Sequence, residues 1–198
     1  MLFEEASEKS ALSDLRKASI KGMAATARIR GRDRVLSKQI WEDIYNNTAN
    51  EGRKNFALQN LNELKTMDFE DRLTEEVRKF DSDFGRLPSD LEELVKHGYL
   101  KKVPKDHDEE NFIISPKTKV VKSVALLNKF FSENIGFLNS RSKRFKNDYG
   151  RYSSTMSELK EYISHTSTLR KFPEHPLDEE YIYNPETGVV DYDKSFLK

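Results

Sequence analysis

Apolar positions recur at three- and four-residue steps through roughly the first 65 residues, the spacing that gathers side chains on one face of a helix. Ala11, Leu15, Ala18, Ala25 and Ile29 form one stripe, with Gly22 in the same row. Val35, Leu36, Ile40, Ile44 and Tyr45 form a second with Trp41 beside it, and Ala57, Leu58, Leu61 and Leu64 form a third. No proline interrupts this stretch, and turn formers cluster at Gly31-Arg32-Asp33 and from Asn46 to Gly52. Connections this short make neighbouring helices antiparallel, so the pattern predicts a helical hairpin preceded by another helix.

From Phe69 the pattern changes. Phe69, Leu73, Val77, Phe80 and Phe84 share one helical face that stops at Gly85. Ser89 is placed to cap a short helix from Asp90 to His97, with Glu92 and Glu93 in its first turn and Gly98 past its end. "GYLKKVPKD" reads as an extended link, and "NFIISPKTKVVKS" as a β-hairpin around Pro116-Lys117-Thr118-Lys119. The same order then repeats. A helix carrying Phe131, Ile135, Leu138 and Phe145 leads to "DYGRY", a short helix over about 154–163, the link "LRKFPEHP" and the hairpin "EYIYNPETGVVDY".

The two stretches align residue by residue. Gly85, Arg86 and Leu94 match Gly150, Arg151 and Leu159; after an insertion near "SHTST", Pro104, Phe112, Ile113 and Pro116 match Pro173, Tyr181, Ile182 and Pro185. Thr118, Val120 and Val121 match Thr187, Val189 and Val190. An internal duplication accounts for this. Gly85 and Gly150 let the chain reverse after a long helix, and Arg86 and Arg151 are placed to bond the open carbonyls at that helix end. Pro104 and Pro173 stiffen the link. Lys119 stands where Gly188 does, which costs about 1 kcal/mol if the left-handed conformation is kept.

Two resemblances follow from these residues. "ARIRGRDRVLSKQIWEDIYNNTANEGRKNFALQNLNEL" is similar to one degenerate tetratricopeptide-type helix pair, with aromatics at Trp41 and Tyr45 and a small residue at Ala57. "FGRLPSDLEELVKHGYLKKVPKDHDEENFII" resembles the C-terminal lobe of the major pseudopilin of bacterial type II secretion. It keeps Gly-Arg-x-Pro, the leucine-rich short helix, Pro-Lys-Asp and the step from Pro104 to the aromatic Phe112. The second copy keeps Gly150 to Tyr152, Pro173, Pro176 and the step to Tyr181. The family's turn glycine is replaced by Glu109 and Asp178, and its calcium loop and long apolar N-terminal helix have no counterpart. The resemblance therefore implies the lobe, in a protein of the bacterial envelope, without the filament or the calcium.

Composition narrows the function classes. Hydrophobic residues make up 36% and charged residues 34%, so the core is thin and suits small modules better than one deep globule. Acidic and basic residues balance to zero net charge, which weakens the electrostatic case for nucleic acid. There is no cysteine, excluding disulfides and thiolate chemistry. No apolar run reaches the ~20 residues that span a bilayer. The chain reads as a soluble piece, to which a leader or membrane anchor could have been attached upstream.

Candidate chemistry is sparse. Asp106, His107, Asp108, Glu109 and Glu110 share one loop whose oxygens suit a hard cation, but no glycine makes the sharp turn such a loop needs. His97, His107, His165 and His175 show no pair at zinc-ligand spacing. No nucleophile elbow or phosphate loop is present. Two basic runs stand out: Arg28, Arg30, Arg32 and Arg34, and Arg141, Lys143, Arg144 and Lys146.

The expectation is an α+β protein with a helical region at 1–67 and two modules at 68–123 and 124–198, each a long helix, a short helix and a β-hairpin. It is expected to be a non-catalytic interaction or scaffold protein, without a cofactor or metal. Trp41, Tyr45, Arg141 and Arg144 are the residues expected to meet a protein partner, and Gly85, Arg86, Pro104, Gly150, Arg151 and Pro173 carry the structural motif. The second reading is a nucleic-acid-associated protein that uses the arginine and lysine clusters; a solvated helix face or contact with an acidic partner outweighs it at zero net charge.

Overall fold

The structure, a computed structural model, describes residues 21–26, 33–167 and 170–195. It is α+β, and the chain divides into two compact units, Met1–Asp68 and Phe69–Lys198. Ala11, Leu15, Ala18, Ile29 and the arginines Arg28, Arg30 and Arg32 lie outside the described residues.

In the first unit residues 21–26 are helical, followed by α1 (Arg34–Asn47) and the start of α2 (Glu51–Phe84). Asp33 caps α1 by accepting from the Leu36 amide at 3.2 Å, and Asn50 does the same for α2 through the Arg53 amide at 3.0 Å. Ala25, Trp41, Ile44, Ala57 and Leu64 form the core. The small residues matter here: a Cβ on Gly22 would lie 3.3 Å from the Trp41 ring, which packs over that backbone.

A boundary at residue 67 does not coincide with the end of an element. The third apolar stripe and the stripe from Phe69 to Phe84 lie on one helix, α2, because no glycine, proline or turn cluster interrupts the chain between Arg53 and Phe84.

The second unit holds two cores. α2 continues to Phe84, followed by α3 (Leu91–Lys96) and the strands β1 (Phe112–Ile114) and β2 (Val121–Ser123). Leu73, Val77, Phe80, Leu91, Leu94, Phe112 and Val121 make the first core. Next come α4 (Val124–Tyr149), α5 (Met156–Thr166), β3 (Ile182–Asn184) and β4 (Val189–Asp191). Leu127, Phe131, Leu138, Phe145, Leu159, Ile163, Tyr181 and Val190 belong to the second core. Each fully buried side chain of this kind contributes about 1.5–3 kcal/mol.

Each sheet is a two-stranded antiparallel hairpin. In the first, Phe112 pairs with Ser123 and Ile114 with Val121; in the second, Ile182 pairs with Asp191 and Asn184 with Val189. A polar side chain on the long helix fastens each hairpin. Thr74 Oγ1 accepts from the Val121 amide at 2.8 Å, and Asn139 Oδ1 accepts from the Val190 amide at 2.8 Å. Isolated hairpins are marginal in water, so this anchorage and the aromatic packing are what hold them.

Candidate interaction site

α2 and α4 end in the same way. Gly85 and Gly150 are left-handed, at φ 68° and 72°, and their amides close the helices on the carbonyls of Asp81 and Lys146 at 2.8 Å. The residue before each glycine is an aromatic that remains substantially exposed, Phe84 at 47% and Tyr149 at 63%. Phe84 stacks on Phe80 with centroids 4.5 Å apart, and Tyr149 stacks on Phe145 at 4.6 Å. A second ring closes the edge: His97 lies 4.9 Å from Phe84, and Tyr162 lies 6.0 Å from Tyr149.

The arginines do not reach back to the open helix carbonyls. They turn forward instead. Arg86 donates to Glu93 through two parallel bonds, 2.6 and 3.1 Å, and to the Leu87 carbonyl at 3.0 Å. Arg151 donates to Glu158 at 2.6 and 3.2 Å and to the Tyr152 carbonyl at 2.9 Å. The reason is geometric, since a planar guanidinium matches both oxygens of a carboxylate, while a single carbonyl uses only one of its donors. The guanidinium planes also cover the buried rings, Arg86 at 5.2 Å from the Phe80 centroid and Arg151 at 5.5 Å from Phe145.

The carboxylates are fixed from the other side. Glu93 accepts from the Ser89 amide at 2.7 Å, and Glu158 from the Ser154 amide at 2.6 Å. The arginine bonds first, and these amides second, lower both carboxyl pKa values from 4.5 to about 2. Asp90, rather than Ser89, caps α3, accepting from the Glu93 amide at 2.8 Å; Thr155 caps α5 in the same way at 3.1 Å. Sequence reading missed Glu93 and Glu158 as partners of the arginines. The signal was present as Asp90-x-x-Glu93 and Thr155-x-x-Glu158, the spacing of a capping box.

The links after the short helices also correspond. Pro104 follows Val103 and Pro173 follows Phe172; Val103 packs on the first core of this unit and Phe172 on the second. The acidic loop is held by its own backbone. Asp106 is 5% exposed and accepts from the Asp108 and Glu110 amides at 3.0 and 2.9 Å, the Ser123 hydroxyl at 2.6 Å and the Ala125 amide at 3.1 Å. Burial opposes its charge, but these four donors prevail and its pKa is lowered. Its carboxylate thus ties the loop to the N-terminus of α4. His175 Nδ1 closes the later loop in a similar way, accepting from the Leu177 and Glu179 amides, each at 3.3 Å. Glu109 and Asp178, at equivalent places in the two loops, hold a left-handed backbone at φ 60° and 57°.

Of the expected partner-binding residues, Trp41 is corrected outright. It is 1% exposed, enclosed by the first unit's core and edged by Phe56 at 5.5 Å, because so large an apolar ring gains most by leaving water among the small residues Ala25 and Ala57. Tyr45 is half-buried against the same core, with Lys54 6.0 Å above its ring. Arg141 lies over Phe137 at 5.2 Å, and Arg170 covers the same ring at 4.3 Å. Arg144 pairs with Asp148 at 3.9 Å, and Arg34 with Asp68 at 3.6 Å. These cations are engaged with their own surroundings.

Among the described residues no helix is long and apolar enough to cross a membrane, and no group of three or more His, Cys, Asp or Glu side chains is placed to hold a metal ion. No family model, curated protein or solved structure matches the chain.

Proposed function

We propose that this chain is a non-catalytic protein-interaction or scaffold protein, built from two copies of one pseudopilin-like module behind a tetratricopeptide-like helical segment. It works in the bacterial cell envelope, linked to a secretion or pilus-type assembly. One observation carries the reading: Phe84 and Tyr149, at matching helix ends, stack on the buried rings of Phe80 and Phe145 while large parts of their own rings face solvent. An aromatic already stacked on its neighbour loses little side-chain entropy when a partner covers it, and aromatic residues are enriched at protein interfaces.

The experiment is a pull-down from the source cell's envelope and soluble fractions, comparing the full chain with a Phe84→Ala/Tyr149→Ala variant. A defined protein retained by the wild type and lost from the variant is the expected result. If every retained protein binds both forms alike, or the chain shifts DNA or RNA in a salt-sensitive gel assay, the reading falls.

A further inference from the structure

The two hairpins have unlike surroundings on their outer faces. The inner residues Tyr181, Tyr183 and Val190 face the second core. On the outer face Ile182 and Val189 are 54% and 50% exposed. Their counterparts on the first hairpin are Ile113 and Val120. Ile113 is packed against the second core, so the next module covers this part of the outer face of β1–β2. The adjacent turn is latched there as well: the Lys117 ammonium donates to the Asp178 carbonyl and lies 3.4 Å from Asp178 Oδ2.

Charge decides what could cover the outer face of β3–β4. Glu186 stands where Lys117 does, and Glu109 stands where Asp178 does. A second copy of this chain stacked in the same geometry would set Glu186 against Glu109, two carboxylates where the internal contact joins a lysine to an aspartate. Like charges at that point disfavour a copy stacked in that geometry. Asp191 lies directly across from Ile182, with Lys194 3.8 Å from it, and Glu180 is exposed two residues before Ile182. With Glu180, Glu186 and Asp191 against Lys194, the rim is acidic on balance and disfavours nucleic acid and anionic lipid.

We propose that the outer face of β3–β4 docks a partner protein, which lays an aliphatic or aromatic side chain on Ile182 and Val189 and sets a lysine or arginine opposite Glu186. The inference rests on the reading of the chain as two copies of one interaction module, because that equivalence shows how the face is used.

The test is a titration of the isotope-labelled full chain, followed by amide chemical shifts, with two synthetic peptides of equal length and leucine spacing. One carries lysines at the intervening positions and the other glutamates. The lysine peptide is expected to shift the amides of Ile182, Asn184, Gly188 and Val189, and the glutamate peptide to leave them in place. Ile182→Ser with Val189→Ser, and separately Glu186→Lys, should each weaken binding about tenfold or more. These side chains are exposed, and unchanged shifts in the core would verify that the variants fold. Absence of binding, equal binding of the two peptides, shifts centred on Phe84 and Tyr149, or self-association of the wild type through Ile182 would each overturn it. A pull-down partner lost from the Phe84→Ala/Tyr149→Ala variant but kept by the Ile182→Ser/Val189→Ser variant would sink this inference while leaving the proposed function standing.

Discussion

Lys119 and Gly188 hold the same left-handed backbone, φ 56° and 68°, and close their hairpin turns with equivalent bonds. The Lys119 amide donates to the Ser115 carbonyl at 2.9 Å, and the Gly188 amide to the Asn184 carbonyl at 2.7 Å. What differs is the space beside each. Lys119 extends to Asp81, 2.6 Å from Oδ2. A Cβ on Gly188 would run into the Tyr152 ring and lie 2.7 Å from Ser142 Oγ.

The two positions should therefore respond unequally to exchange. Gly188→Ala should lower stability by about 2–3 kcal/mol, through overpacking added to left-handed strain. Lys119→Gly should change it by less than about 1 kcal/mol, since relief of strain is offset by a freer unfolded chain and a lost surface ion pair. Urea denaturation of the two variants checks both. Equal effects would mean that the Tyr152 contact does not restrict the second turn.

Glu93 and Glu158 make acid stability a test of the arginine clamps. Each carboxyl has a pKa of about 2 when folded, below the ordinary 4.5, so the unfolded chain binds more protons between those values. Their contribution is fully present above about pH 4.5 and is lost as the pH falls towards about 2. Glu93→Gln with Glu158→Gln should flatten the fall in stability across that window, measured by denaturation at a series of pH values. A slope identical to the wild type's would remove the clamps as its source.

Asp106 is expected to be the least replaceable residue of the acidic loop. Removing its carboxylate strands the Ser123 hydroxyl and the amides of Asp108, Glu110 and Ala125 in a buried place. Asp106→Ala should cost about 3 kcal/mol or more and raise hydrogen exchange at the start of α4. The exposed neighbours Asp108 and Glu109 should tolerate alanine and glycine respectively, and Glu109→Gly should be neutral or stabilising because its backbone is left-handed. Comparable losses at all three positions would show that the loop's role is not anchorage by Asp106.

Local pattern was enough for the order of elements from Phe69 onward: helix periodicity, the glycines at 85 and 150, and the alternation around Pro116 and Pro185 are all short-range signals. The left-handed positions at Gly85, Gly150 and Gly188 were legible for the same reason, since backbone conformation depends on the residue itself. Partner choice was not. Arg86 has both a helix end and Glu93 within reach, and only the packed arrangement of α2 against α3 brings the carboxylate face to face with the guanidinium. Trp41 presents the same residue type to solvent or to a core. Its burial follows from where Ala25, Ala57 and Leu64 converge, not from its place in a stripe. Ile113 and Ile182 make the point most directly: each lies in the first strand of its hairpin, one packed against the second core and one open, because exposure belongs to neighbours in space and not to neighbours in the chain.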